Sequence, residues 1–293
     1  MAATETSNPA QELGDAGANR FYAHTLAILE QAGVPFLVGG AYALHRYTGI
    51  ARFTKDLDIF TLPSDRDRIL HLLDAAGYRT EITFAHWLAK VYHDDAFVDV
   101  IYSSGNGVAQ VDERWFEHAV ADVVLGSAVQ LVPPEEMIWS KSFIMERERY
   151  DGADVAHLIR ALAEKLDWYR LVDRFGPNWR VLLVHLVLFG FIYPGERARV
   201  PGSIIDALIA QAETEVWTPS RDERICRGPI LSREQFLVDL ERWGYRDARL
   251  RPMGTMTPED AARWTAAISD ERQPEQISRR VEDDRARARG GDR

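Results

Sequence analysis

The chain has 293 residues, 46% of them hydrophobic and 27% charged, which describes a globular protein with room for one large domain or two of ordinary size. Its formal net charge of −10 argues against broad, non-specific attraction to nucleic acid or to an anionic membrane. The single cysteine, Cys226, rules out an internal disulfide and fits a reducing cytoplasm, and the N-terminus lacks the basic-then-apolar pattern of a signal segment.

Residues 1–16 are small and polar and are expected to form a tail. Phe21 to Ala32 has helical spacing and stops at Gly33. Val34–Val38 is expected as a short strand, followed at once by Gly39-Gly40 and a helix from Ala41 to Tyr47. Lys55 to Thr61 is the second expected strand. Ser64 is the expected N-cap of a helix running to Ala76, with Asp65 and Asp67 in its first turn. Tyr78–Phe84, Trp87–Tyr92 and Ala96–Tyr102 alternate as three further strands, with His93-Asp94-Asp95 as the turn between the last two.

Ser103 to Val124 shows no clear pattern. Val129–Val132 reads as a last strand, and Pro133-Pro134 then start a helix from Glu135 to about Glu148. From Asp151 onward the spacing is helical almost throughout, with breaks at Gly176-Pro177, Pro194-Gly195 and Pro201-Gly202. The longest apolar stretch, Val181 to Tyr193, is shorter than the roughly 20 residues a bilayer crossing needs, so it is expected as a buried helix with no membrane association. Trp243-Gly-Tyr245 is expected to pack a small helical core, and 271–293 to form a charged tail. The fold class is therefore α+β, with a mixed sheet and flanking helices at 17–132, a helical half at 133–270, and a boundary near Pro133.

The chemistry concentrates in Thr54-Lys55-Asp56-Leu57-Asp58-Ile59-Phe60. Residues two apart on a strand share a face, so Asp56 and Asp58 project together while Leu57 and Ile59 turn inward. Shielding two adjacent carboxylates from water without a partner costs several kcal/mol, and a divalent cation removes that cost. Asp99 lies in an apolar strand, Phe97-Val-Asp-Val-Ile101, and needs a reason of its own. If its strand lies beside that of Asp56 and Asp58, three carboxylates converge. Such a cluster can hold two metals and serve in-line displacement at phosphorus. Mg²⁺ suits these oxygen ligands, with Mn²⁺ as the alternative. Gly39-Gly40, where a strand turns into a helix, lets backbone N–H groups approach a phosphate. Arg52, Thr54 and Lys55 flank the acids and are candidates for nucleotide contact, Arg52 equally for a loop salt bridge.

These residues resemble a known family. Gly39-Gly40, Asp56-x-Asp58 and the later Asp99 look like the nucleotidyltransferase superfamily that shares the DNA polymerase β palm. The wider stretch from Val38 to Phe60 is similar to the bacterial branch containing AbiEii/AbiGii-type toxins. The resemblance implies a polymerase β-like palm followed by a helical half. It also implies metal binding by Asp56 and Asp58, and Asp99 assisting with metal or with deprotonation of the attacking hydroxyl. Lys141, followed by Asp151 and Asp154, is similar to the lysine and acid that follow the palm in the toxin branch, which implies contact with the triphosphate. The family's usual Gly-Ser is Gly-Gly here, which removes a hydroxyl and leaves phosphate contact to the backbone. The implied reaction transfers an NMP from an NTP to a hydroxyl of RNA, protein or a small molecule of aminoglycoside type, and a toxin would have an antitoxin-type partner.

Blander readings stand beside these. Lys141 can be a surface residue, and Asp151 and Asp154 can be acids favoured by a helix N-terminus. His45, His157 and His185 read as structural histidines, no His/Cys spacing suggests zinc, and Cys226 has no activating neighbour. A catalytically weak nucleotide-binding regulator is the alternative from another functional class.

Overall fold

Leu57 and Ile59 are fully buried along β2 (Asp56–Phe60) while Asp56 and Asp58 are not, so alternation decides which face of the sheet is core. In the computed structural model, which describes residues 13–216 and 224–268, β2 lies at the centre of a seven-stranded mixed sheet. The chain enters through α1 (Ala16–Gln31), β1 (Leu37–Val38) and α2 (Gly40–Thr48), and after β2 passes through α3 (Arg66–Ala75). A meander of β3 (Arg79–Phe84), β4 (Leu88–His93) and β5 (Ala96–Ile101) follows, then α4 (Glu113–Glu117), β6 (Val120–Val124) and β7 (Ser127–Leu131). The strand order is β3-β4-β5-β2-β1-β7-β6, with β5 parallel to β2 and β7 parallel to β1.

Beneath the sheet, Val91, Val98 and Val100 join Leu57 and Ile59 in one core with Tyr22, Leu26 and Leu29 of α1 and Ile69 and Leu73 of α3. The opposite face carries the acids. The second half runs through α5 (Pro134–Ser142), α6 (Gly152–Leu162), α7 (Trp168–Phe175), α8 (Trp179–Ile192) and α9 (Gly202–Val216). It continues through β8 (Ile225–Cys226), α10 (Gly228–Leu231), α11 (Leu237–Glu241), β9 (Arg246–Asp247) and a helix over 258–268. The expected α+β class, mixed sheet then helices, is the observed one.

Several expectations need correction. The N-terminal tail ends sooner than residue 16, because Leu13 is buried with its carbonyl bonded to Thr54 N, and Asp15 caps α1 through Gly17 N and Ala18 N. The residue preceding α3 is Asp65, not Ser64. The helix expected to reach Glu148 ends at Ser142 because tertiary contacts outweigh its spacing. Met145 N bonds to Leu231 O, and Glu146 pairs with Arg233 at 2.6 Å. The unassigned stretch 103–124 holds α4 and β6. The region beyond Asp151 is not purely helical, since β8 and β9 pair in parallel. Trp243 and Tyr245 are exposed, not core. Residues 1–12 and the tail expected at 271–293 lie outside the described residues.

α8 also differs from the buried helix expected at Val181–Tyr193. It is apolar on all sides, and although Leu182, His185, Leu186 and Phe189 are buried, Val184, Val187 and Phe191 face outward. With α7 it makes a run of 25 residues, Trp168–Ile192, that is long and apolar enough to cross a membrane by length and composition, with mean hydropathy 1.5 over a window only 33% buried. Gly176, at φ 45 and ψ −120, interrupts that run. Its first part is tied into the protein by a buried ionic network. Arg170 pairs with Glu135 and, at 2.5 Å, with Glu136, while Arg174 reaches Glu136 at 2.8 Å and Asp112 at 2.6 Å.

That network sets a stability prediction. Glu136 is wholly buried between two guanidinium groups, so Glu136→Ala takes a carboxylate from each, leaving Arg170 with Glu135 and Arg174 with Asp112, and is expected to cost about 3 kcal/mol in urea unfolding. Glu81→Gln, which removes only the exposed Arg79–Glu81 pair, is expected to cost less than about 1 kcal/mol. Equal midpoints for the two variants would show that the network is not a structural clamp.

Candidate active site

β2 and β5 pair so that Asp56 faces Phe97 and Asp58 faces Asp99. All three aspartates therefore project from the face opposite the core, and one carboxylate oxygen of each lies within 4.8 Å of the others. Hard oxygen ligands at this spacing suit a divalent cation such as Mg²⁺ or Mn²⁺.

The electrostatics agree with that fit. Burial pushes the Asp58 carboxyl up to about 8, the Asp56 and Asp99 charges add to it, and the more distant Lys141 and Arg149 oppose it. Burial also pushes Asp99 up to about 6, against the pull of Lys90 and with Asp56 adding. The three acids are held differently. Thr54 Oγ1 donates to Asp56 Oδ1. Lys90 stands directly across from Asp99 on β4 and places its Nζ 2.6 Å from Oδ1. Asp58 accepts no side-chain hydrogen bond among the described residues.

The diglycine is fitted to Asp58. Gly39 N donates to the Asp58 carbonyl at 3.0 Å. Gly40 opens α2 at φ +54, a backbone conformation that strains L side chains, and a Cβ there would fall 1.7 Å from Asp58 Oδ2. A Cβ on Gly39 would strike the Phe60 ring at 2.3 Å. The first turn of α2, with its unpaired N–H groups, is thereby pressed against the acid cluster, where an anionic ligand of a bound cation would sit.

A second cluster stands at the junction of α5 and α6. Lys141 Nζ lies 2.9 Å from both Asp151 Oδ2 and Asp154 Oδ2. Arg149 grips Asp151 through two bonds of 2.9 and 3.0 Å, and Arg52 reaches Asp154 Oδ1 at 2.5 Å. Burial alone would raise the Asp151 carboxyl, but Arg149 and Lys141 hold it at about 2. Lys141 is thus not a free surface lysine, and Asp151 and Asp154 are more than helix-terminal charges. Arg52 makes a salt bridge, and its partner belongs to this cluster. Lys55 is exposed, with its carbonyl accepting from Tyr22 Oη at 2.8 Å.

The structure also brings in a residue the sequence did not single out, Lys90, which with Arg149 supplies positive charge to the acids. Lys90 had a legible signal: a tight turn at Asp94-Asp95 pairs His93 with Ala96, and counting back along both strands puts Lys90 opposite Asp99. His185 is buried, its Nε2 2.9 Å from Ser142 O, as expected of a structural histidine.

A pH dependence follows from the acids alone. The folded-state pKa of Asp58 lies above its ordinary value near 4, so its contribution to stability is complete below pH 4 and is lost as pH rises toward 8. Asp58→Asn removes that loss. In thermal unfolding without divalent ions, the variant is expected to melt a few degrees above wild type at pH 8, with the gap shrinking as pH falls and closing near pH 4. A variant less stable at both pH values would contradict the assigned repulsion.

Among solved structures, the chain is similar to an antigenic nucleotidyltransferase-like protein from Paracoccidioides brasiliensis, with 14% identity, 63% of this chain and 92% of that one covered, and a TM-score of 0.41. It is similar also to JHP933 from Helicobacter pylori, with 15% identity, coverage of 72% and 97%, and a TM-score of 0.37. A third is the antibiotic-resistance factor ANT(2'')-Ia, with 14% identity, coverage of 69% and 94%, and a TM-score of 0.35. Likenesses this distant carry no argument about chemistry. No curated protein matches the sequence. Residues 18–174 match a family described as "Nucleotidyl transferase of unknown function (DUF2204)". That span exceeds half of the chain and runs from α1 through α7, including the diglycine, the three aspartates and the Lys141 cluster, and the chain belongs to this nucleotidyl transferase family.

Proposed function

We propose that the protein transfers a nucleoside monophosphate from an NTP to a hydroxyl acceptor and releases pyrophosphate. Asp56, Asp58 and Asp99 would hold a divalent cation, Mg²⁺ or Mn²⁺. The observation that carries this reading is Asp58: recessed, flanked by two more carboxylates, and pressed against a helix N-terminus through Gly40. A bound cation would neutralise the cluster and polarise the phosphoryl group.

The chain's own residues divide the remaining work. The α2 N-terminus at Gly39-Gly40 offers N–H groups to phosphate oxygens. Thr54 orients Asp56. Asp99 accepts the proton of the acceptor hydroxyl as its oxygen bonds to the α-phosphorus and the bond to the β-phosphate oxygen breaks. Lys141, steadied by Asp151 and Asp154, supplies positive charge toward the leaving pyrophosphate. The net charge of −10 favours a small cationic acceptor over RNA. Cytoplasmic location, and an AbiEii-like toxin role with an antitoxin-type partner, are finer readings. The first is supported by the single cysteine, the second by the resemblance between Val38 and Phe60 and at Lys141.

Purified protein incubated with labelled NTPs, Mg²⁺ and a panel of tRNA, protein and small-molecule hydroxyl acceptors is expected to label one acceptor class. Asp56→Ala combined with Asp58→Ala should abolish transfer while leaving circular dichroism unchanged, and undiminished transfer by that double variant would sink the reading. Gly40→Ala is expected to cost at least about 1 kcal/mol of stability from backbone strain alone. Because its methyl group displaces the Asp58 carboxylate, it should also lower transfer by an order of magnitude or more. Wild-type transfer rates in Gly40→Ala would show that the close approach of α2 to Asp58 has no part in the reaction.

A further inference from the structure

We propose that Phe53 and Tyr150 form a stacking wall for the nucleobase, and that the NTP they select is a purine nucleotide. On the reading of the three aspartates as a metal-and-triphosphate site, on which this depends, the base is the part of the substrate still without a partner. A large aromatic ring left in water forgoes the burial that usually decides its place. Phe53 is 66% exposed and Tyr150 51% exposed, and each adjoins residues committed to the two ionic clusters. Phe53 lies between Arg52, which holds Asp154 at 2.5 Å, and Thr54, which donates to Asp56. Tyr150 lies between Arg149 and Asp151, themselves paired at 2.9 Å.

Both rings stand on braced backbone. Thr54 N bonds to Leu13 O at 2.6 Å just after Phe53. The turn from Glu146 to Arg149 is closed by Glu146 N donating to Arg149 O at 2.9 Å and by the bridge between Met145 and Tyr150, and Arg233 grips Glu146. The phenol end of Tyr150 lies against Gly152, where a Cβ would fall 2.0 Å from both Cζ and Oη. Among the described residues, neither ring stacks on another aromatic ring or carries a cation. The Arg52–Asp154 pair joins the two segments, so both rings border the Lys141 cluster. A triphosphate fixed at the acids and the α2 N-terminus leaves its base to reach a wall of this kind. Stacking uses the π-face that every base has and strengthens with ring size, which favours purines over pyrimidines.

The test measures binding without turnover. The full chain in Mg²⁺ is titrated by calorimetry with the α,β-methylene analogues of ATP, GTP, CTP and UTP, and with inorganic tripolyphosphate, which has no base. Both purine analogues are expected to bind at least about threefold more tightly than either pyrimidine analogue. Tyr150→Ala and Phe53→Ala are each expected to weaken the purine analogues at least about fivefold, the lower end of what a lost base–aromatic stack costs, while leaving tripolyphosphate unchanged. Tyr150→Phe, which keeps the ring, should bind as wild type does. Purine analogues bound no more tightly than pyrimidine ones, or unaffected by both alanine variants, overturn the proposal, and Mg²⁺-dependent binding of tripolyphosphate then leaves the metal site standing. An equal loss for tripolyphosphate in a folded variant also overturns it, since no base contact acts there. No binding of any analogue by wild type overturns the nucleotide reading as well. The wild-type ranking decides without any variant, so a failure of Tyr150→Ala to fold does not remove the test.

Discussion

Three carboxylates at neighbouring positions of two parallel strands form the constraint under which the rest of this protein is built. Like charges so close, and partly shut off from water, resist folding, and the chain meets that resistance locally. Lys90 takes one oxygen of Asp99, Thr54 takes one of Asp56, and Gly40 brings the α2 N-terminus against Asp58. The opposite face of the same strands holds the arrangement in place. Leu57, Ile59, Val98 and Val100 are fully buried, and a slip of one residue would turn these apolar side chains out and the aspartates in. Register and chemistry are therefore fixed by one pattern.

The helical half serves the same cluster from further away. Lys141 and Arg149 belong to an ion-pair group with Asp151, Asp154 and Arg52, and both act on Asp58 electrostatically. Their supports lie still deeper in the chain. The network of Glu135, Glu136, Arg170, Arg174 and Asp112 ties α5 to α7 and to the start of α4. Arg233 pairs with Glu146 three residues before Arg149, and it also stacks 4.0 Å over Trp264. Trp264 in turn packs on Phe84 and Trp87 at the β3–β4 turn. The last described segment thus returns to the sheet and braces the loop that carries Arg149.

Sequence reading recovered what depends on short-range pattern. Strand alternation placed Asp56, Asp58 and Asp99 on strands and turned Leu57 and Ile59 inward, and the meander from Arg79 to Ile101 was legible from its turn. The residues that escaped depend on long-range pairing. Nothing in the spacing of Glu135–Glu148 announces that Met145 will bond to Leu231, so the pattern extends the helix past its end at Ser142. The apolar run at Val181 says only that water is avoided on every side, not that Val184 and Phe191 are left uncovered. The exposure of Trp243 is of the same kind, since composition suggests a core and only tertiary contacts decide it. Lys90 sits between these cases, readable once the hairpin turn is counted and invisible while the strands are treated singly.

The paired state of the cations bears on how a nucleotide would enter. Lys90, Lys141, Arg149 and Arg52 each already engage a carboxylate, and these four face five acids, Asp56, Asp58, Asp99, Asp151 and Asp154. These four cations therefore present no surplus positive charge to a triphosphate, and the α2 N-terminus offers only a partial one. On the proposed reading, affinity for an NTP must come largely with the divalent ion that accompanies it. The same balance would let the site discriminate against a bare phosphate anion, which meets the acids before it meets any uncommitted cation. A centre built from pre-paired charges trades raw attraction for order, because each ion that arrives releases or redirects a partner already held at a known distance.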